Sequence, residues 1–456
     1  MATNSLSKLN DKETQQLLQE AKKNADIIKF YPDGKHMDRV RSRGIPNQRL
    51  ARVFGIDNIF TNLNDKKYRN SFRKDTIEKM KTATQMDKYP DGNWADLRNF
   101  ALEQIQGYRN ETSENLVSIV HKVTFKVSLL YLFPDAEKAM QKPDTDKHVE
   151  LIARRINELW VASKEPEDNQ PKWNEEKELH QALLEVTTFT PRPKPKTILS
   201  QIYTFFQRLW QYIPVFANPE MAADVTTIDP TEGRKNPMNL LLPAYETMWR
   251  VVLLIVLELR FRNATNADKW LNTMKIYLAD LEDPNSGASG AFRSADANGV
   301  APIDIVKEGL RLYPPSRRVH RLFDGEEVSA DIEQCHRSKL LGQNDATTFR
   351  PERWQDIRPD LRKAIADGTG QKKALKIAEE TLGFMPFAFS CTADGADTKG
   401  FGMKMIALLV AVVLDLLDHE WKLEDEVQLA AVGMPLLSSR ANLGEVKIEN
   451  LNNFTH

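Results

Sequence analysis

The stretch KEGLRLYPPSRRVHR, residues 307–321, decides the reading of this chain. Residues 302–312 read as a helix stopped by Pro314 and Pro315, because proline has no amide N–H and its ring clashes with the preceding turn. Glu308 and Arg311 stand three apart on that helix, on one face, where they can pair. Just beyond, VHRLFDGEEVSADI (319–332) has the pattern of a β-hairpin with Asp324-Gly325 at its turn. A further arginine-bearing segment, FRPERW, follows at 349–354.

Around this stretch the chain reads as mostly helical. It has 456 residues, and only 20 are glycine, with no long Val/Thr alternation. Hydrophobic residues make up 41% and charged residues 28%, an ordinary globular mixture. Lys plus Arg total 63 and Asp plus Glu 64, so the bulk basic charge of a nucleic-acid binder is missing. Two cysteines, Cys335 and Cys391, exclude a disulfide scaffold and a cysteine-rich metal site and fit a reducing compartment. The polar start MATNSLSKLNDKETQQLLQEAKK holds neither a signal peptide nor a membrane anchor. The apolar runs VVLLIVL (251–257) and MIALLVAVVL (405–414) are too short to span a bilayer and read as core helices.

Residues 8–31 read as a helical lead-in, with Asn64 or Asp65 capping a later basic helix. NLVSIVHKVTFKVSLLYLF (115–133) has helical spacing, a long helix runs from Asn239 to Arg262, and 404–417 form the last strong helix. Residues 163–176, 190–197, 219–238 and 284–292 read as irregular. No composition break divides the chain. The simplest organisation is a lead-in, 1–48, and one domain, 49–456, mainly α with a small β portion.

The common signatures are missing: no G-x-G-x-x-G after a strand, no P-loop, no H-E-x-x-H and no G-x-S-x-G. The acidic trio Asp280, Glu282 and Asp283 reads as a solvated helix end, with a metal site as the rarer alternative.

Four segments, in order along the chain, resemble the cytochrome P-450 superfamily, the heme-thiolate monooxygenases. Residues 307–321 match its E-x-x-R helix. The pair alone is common, but followed directly by LRLYPP it becomes specific. FRPERW is similar to the family's P-E-R-F segment, so the resemblance implies that Glu308, Arg311 and Arg353 form a buried ion network beneath a heme. NPMNLLLPAYETMWRVVLLIVLELRFR (236–262) resembles the long helix over the distal heme face. Ala244, Glu246 and Thr247 match the small-x-acid-Thr motif that relays protons to dioxygen. The alternative there is a core helix with a back-bonded threonine. FGIDNIFTNLNDKKYRNSFRKDT (54–76) resembles the region that supplies a basic residue to a heme propionate. Arg69 and Arg73 are candidates, as are Arg317, Arg318 and Arg321, each with a solvated cationic face as the alternative.

The resemblance implies a cytochrome P-450 fold, heme b, dioxygen, electrons from an NADPH–cytochrome P-450 reductase, and a small hydrophobic substrate. It is most similar to fungal secondary-metabolism members. The expected location is cytoplasmic or peripheral to a membrane, neither secreted nor anchored by a transmembrane helix.

The resemblance breaks at the family's ligand motif, F-x-x-G-x-R-x-C-x-G. Here that region is GFMPFAFSCTADGADTKGFGMKM, 383–405. With Phe384 as anchor, Cys391 takes the iron-ligand position, with Phe387 for the glycine and Phe389 for the arginine. With Phe387 as anchor, Asp394 takes it. Phenylalanine adopts positive φ at a cost that glycine does not have. Two functions stay open: a heme-thiolate monooxygenase with Cys391 on the iron, or a heme-free relative of the fold acting as a cyclase, isomerase or ligand-binding accessory protein.

Overall fold

The computed structural model describes residues 11–189, 228–283, 288–295, 299–367, 369–389, 398–417, 420–424, 429, 431–438, 443 and 445–451. The expected loop at 190–197, and residues 219–227 of the one at 219–238, lie outside them, as do Cys391 and Asp394.

The architecture is mainly α with two small antiparallel sheets. The helices include α1 (Asp11–Ile28), α2 (Arg39–Gly44), α3 (Lys66–Ala83), α4 (Ala95–Gln106), α5 (Leu116–Leu132), α6 (Thr145–Ala162), α7 (Lys177–Thr187), α8 (Met238–Tyr245), α9 (Trp249–Arg260), α10 (Ala267–Asp280), α11 (Pro302–Leu312), α12 (Lys372–Thr381) and α13 (Phe401–Leu416). Strands β1 (Ser113–Asn115), β4 (Trp421–Leu423) and β5 (Lys447–Asn450) form one sheet in the order β1-β5-β4; β2 (Arg318–Phe323) and β3 (Glu326–Asp331) form the other.

Local chemistry accounts for the boundaries. Asp65, rather than Asn64, caps α3, its carboxylate accepting from the Tyr68 amide at 2.9 Å. Asn115 caps α5 in the same way through the Val117 amide. In the hairpin Phe323 pairs with Glu326, leaving Asp324 (φ 50) and Gly325 (φ 87) as a two-residue turn with both residues left-handed, as a twisted hairpin needs. A short helix, Ala288–Arg293, begins within the segment 284–292 that reads as a loop.

The core gathers around α5, α9, α11 and α13. In α13 every residue from Phe401 to Val413 is buried, the pattern of a helix enclosed on all sides. Helix α11 crosses α9 closely because residue 309 is glycine: a Cβ there would stand 2.4 Å from Ile255 Cδ1. Helix α1 packs on β3. It buries Ala25, Ile27 and Ile28 in a satellite cluster with Met385 and Ala388.

The expected continuous helix over 239–262 is broken. Helices α8 and α9 are separated by a turn at 246–248. The cause lies one turn earlier. Pro243 has no N–H for the Asn239 carbonyl, which instead accepts from Asn58 Nδ2 at 3.2 Å. The ladder then tightens, the Met248 amide donating to the Tyr245 carbonyl at 3.0 Å, three residues back rather than four.

Candidate functional site

Glu308 lies wholly buried on α11 and collects five hydrogen bonds. Its Oε1 accepts from Arg311 Nη2 (2.8 Å), Arg353 Nε (2.9 Å) and the Arg350 amide (2.9 Å); its Oε2 accepts from Arg311 Nε (3.0 Å) and Trp354 Nε1 (3.1 Å). Arg311 and Arg353 are also fully buried. Burial would push the Glu308 carboxyl up, but the two guanidiniums outweigh it and hold the group below the usual carboxylate range. The remaining guanidinium N–H groups hold the chain between 336 and 348. Arg311 donates to the Ala346 and Thr348 carbonyls at 2.6 and 3.1 Å, and Arg353 to the Gly342 carbonyl and Asp345 Oδ1 at 2.8 and 2.9 Å. The three residues expected to meet here do meet.

A second buried polar group on the same helix was not anticipated. Asp304 and Lys307 continue the polar stripe of Glu308 and Arg311 at spacings of three and four. Lys307 Nζ lies 2.6 Å from Glu379 Oε1, which also accepts from Arg362 Nη2 at 3.1 Å. Asp304 accepts from the Ala301 amide at 3.1 Å and from Gln355. Burial pushes Asp304 up, against the opposing field of Arg362, and pushes Lys307 down, against Glu379.

This helix also grips the segment that precedes Cys391. His336, fully buried, donates from Nδ1 to the Leu310 carbonyl (3.1 Å) and accepts the Met385 amide on Nε2 (2.8 Å), which fixes it as a neutral ring. Burial pushes it down to about 3. The Phe384 ring lies 4.6 Å from Trp354, the residue that donates to Glu308. The chain then turns through three successive left-handed residues, Phe387 (φ 52), Ala388 (φ 52) and Phe389 (φ 49).

Glu246 and Thr247 sit in the break between α8 and α9. Thr247 donates its hydroxyl to the Pro243 carbonyl at 2.7 Å, the back-bonded arrangement. Glu246 is 3% exposed, with Arg250 Nε 3.8 Å from Oε1. The acid and the hydroxyl are thus engaged with α8 and α9 themselves.

The propionate candidates separate. Arg317 pairs with Glu333 (3.6 Å), and Arg318 with Asp331 (2.9 Å), both on the hairpin side. Arg73 is exposed. Arg69 is half-buried on α3 and adds its charge to that of Arg43 on α2, while Arg43 and Arg321 lie 5.0 and 4.6 Å from one ring, Phe30. The preceding residue, Lys29, lies 4.8 Å from the Phe389 ring, so this arginine group borders the segment leading to Cys391. The Nε–H groups of Arg69 and Arg321 are buried and have no acceptor among the described residues. That chemistry fits the carboxylates of a heme. On the thiolate side, the described residues carry phenylalanine where the motif has glycine and arginine. Arg43 had no sequence signal, since nothing local ties it to Phe30 or Arg321.

No family model matches the chain, and no curated protein matches it. Among solved structures the chain is similar to the cytochrome P450DA heme domain, with 13% identity and a TM-score of 0.48, covering 88% of this chain and 81% of that one. It is likewise similar to a mutant of that heme domain, with 12% identity and a TM-score of 0.49, covering 88% and 80%.

Proposed function

We propose that this chain is a cytochrome P-450-type protein that binds heme b and oxidises a small hydrophobic substrate, with electrons from a separate NADPH-linked reductase. The observation that carries this reading is the Glu308–Arg311–Arg353 network, fully buried and hydrogen-bonded to Trp354, whose ring packs against Phe384. The resemblance of 307–321 and 349–354 implied that network. Heme, when bound, supplies reductive activation of dioxygen at an iron held by a thiolate. The left-handed backbone at Phe387 supports the register in which Phe384 is the anchor and Cys391 the ligand, because that register puts the motif's glycine at 387. Arg69 would hold a propionate. The turn at 246–248 interrupts the helix at the acid–threonine pair, where Glu246 would hold a proton and Thr247 would release the Pro243 carbonyl to pass one on. The location this reading fits is cytoplasmic or peripheral to a membrane.

A second reading, a heme-free relative acting on or holding a hydrophobic ligand, is favoured by Phe387 and Phe389 in place of glycine and arginine. The deciding experiment is the spectrum of the purified, reduced protein under carbon monoxide. The proposal expects a heme-thiolate Soret shift that Cys391→Ser abolishes. Colourless, folded protein, or an unchanged thiolate spectrum in the variant, overturns it.

A further inference from the structure

Residues 384–389 lie on a seam between two apolar clusters. Phe384 and Phe387 belong to the large core of α5, α9, α11 and α13. Met385 and Ala388 belong to the satellite cluster, with Ile27 and Ile28 of α1, Ala330 of β3 and Cys335. Gly383 enters the seam between α1 and the helix Ile332–His336: a Cβ there would stand 3.4 Å from the Cβ atoms of both Ala21 and Cys335. Stability is not uniform across a fold, and a small apolar cluster opens at lower free energy than the main core.

Helix α12 leads straight into this seam. The Gly383 amide donates to the Glu380 carbonyl at 2.9 Å, and the Phe384 amide to the Glu379 carbonyl at 3.0 Å. A surface helix is usually held by an apolar stripe. In α12 the buried residue is an acid, Glu379, 4% exposed, while Ile377 is 52% exposed. Glu379 sits between Lys307 Nζ of α11 at 2.6 Å and Arg362 Nη2 of the helix Pro359–Ala366 at 3.1 Å. Glu380 reaches Lys29, just past α1, at 3.0 Å, and the same lysine lies 4.8 Å from the Phe389 ring. Two carboxylates therefore clasp α12 to the body, one buried and one exposed. Parting the buried one from its cations leaves unmatched charge in a low-dielectric site, so this clasp holds or releases as a unit.

We infer that α12 is a releasable strap: when Glu379 leaves Lys307 and Arg362, α12 lifts together with residues 383–389, parting Met385 from His336, while α9, α11 and α13 stay closed. The position of the segment that precedes Cys391 is thereby set by a helix outside the main core. The inference rests on the packing of α12 and stands whether or not iron is held by Cys391.

The test is hydrogen exchange of the full chain at neutral pH, read by mass spectrometry of overlapping peptides. In the parent protein the amides of α12, Phe384 and Met385 should share one level of protection, below that of α13. Glu379→Gln keeps the shape of the side chain and removes its charge. It should speed exchange in α12 and at Phe384 and Met385 by one common factor, about tenfold or more, and leave α9 and α13 as in the parent. Lys373→Gln, an exposed change on the same helix, should leave every peptide unchanged. Ile28→Ala perturbs the satellite from the other side and should speed α12 and Met385 together. Faster exchange in α12 with Phe384 and Met385 unchanged overturns the inference. So does protection of α12, Phe384 and Met385 that equals that of α13 in parent and variants. If Glu379→Gln does not fold, the parent decides the matter in sub-denaturing urea. There α12, Phe384 and Met385 should share one urea slope, smaller than that of α13, because a local opening exposes less surface than global unfolding. Separate slopes overturn the inference.

Discussion

Replacing Glu308 by glutamine tests the centre of the structure. The side chain keeps its shape but loses its charge, and one oxygen becomes an N–H donor. With the amide oxygen in the place of Oε1, the new NH2 faces the Arg311 Nε–H and the Trp354 indole N–H, two donors that then meet a donor. The flipped rotamer is worse, since three donors converge on Oε1. Each lost bond to a charged group is worth ~1.5–3 kcal/mol, but the bonds share one charge and do not add. Removing one partner of a buried ion pair costs about 3–5 kcal/mol because the other charge stays buried. Two guanidiniums stay buried here, so the upper part of that range is expected. Urea unfolding at neutral pH, followed by far-UV circular dichroism, should show a lower midpoint at similar slope. The pH dependence supplies an internal check. The folded carboxyl titrates below its unfolded value of about 4.3, so its contribution is complete above that value. The gap between parent and variant should therefore be full at neutral pH and shrink as pH falls below about 4. A variant within about 1 kcal/mol of the parent at neutral pH, or a gap that is independent of pH, would refute the account of Glu308 as an ionised anchor.

Two further outcomes follow from the geometry. Asn58→Ala should cost about 1–3 kcal/mol by stranding the buried Asn239 carbonyl, and much of that cost should disappear in a Pro243→Ala background, where residue 243 regains its N–H; a double-mutant cycle with no coupling would contradict the assigned cause of the helix break. His336 titrates at about 3 when folded and about 6.5 when unfolded, so stability should fall as pH drops between those values, with a slope of up to about 1.4 kcal/mol per pH unit from this residue. Calorimetry across that window should give a shallower decline for His336→Gln, and identical slopes would show that the imidazole is not held neutral.

What could be read from the sequence was local, or tied to a motif. The Pro314-Pro315 stop, the Asp324-Gly325 turn and the cap at Asn64 or Asp65, which the structure gives to Asp65, each follow from one residue's backbone chemistry. Glu308, Arg311 and Arg353 were legible because the resemblance joined two segments 42 residues apart, Glu308 to Arg350. Asp304 and Lys307 left a usable signal that was not read: with Glu308 and Arg311 they make a polar stripe at helical spacing on a helix whose every residue is buried. Their partners Glu379, on α12, and Arg362, on the helix Pro359–Ala366, had no such signal, since only tertiary packing brings these two helices to α11. The break at 246–248 was hidden because its cause, Pro243, sits in an apolar run that otherwise reads as one helix, and its compensation comes from Asn58, 181 residues away. Arg321 was legible only as one of several cations; its burial against Phe30 is a property of the fold.

The segment before Cys391 shows how packing can offset a left-handed turn that contains no glycine. Left-handed geometry costs an ordinary residue roughly 1–2 kcal/mol, so Phe387, Ala388 and Phe389 together oppose the turn by roughly 3–6 kcal/mol. Several contacts work the other way. Burying the Phe387 ring, 8% exposed, contributes about 1.5–3 kcal/mol. The His336 bond to the Met385 amide contributes about 1 kcal/mol, and the Trp354–Phe384 ring contact about 0.5–1.5 kcal/mol. The two sides balance to within a few kcal/mol. The turn is therefore held by the Phe387 ring together with His336 and Trp354, and it forms without glycine. The Glu308 network reaches this turn through Trp354, whose ring lies on Phe384, so the side chain at 387 carries as much of the turn as the scaffold around it.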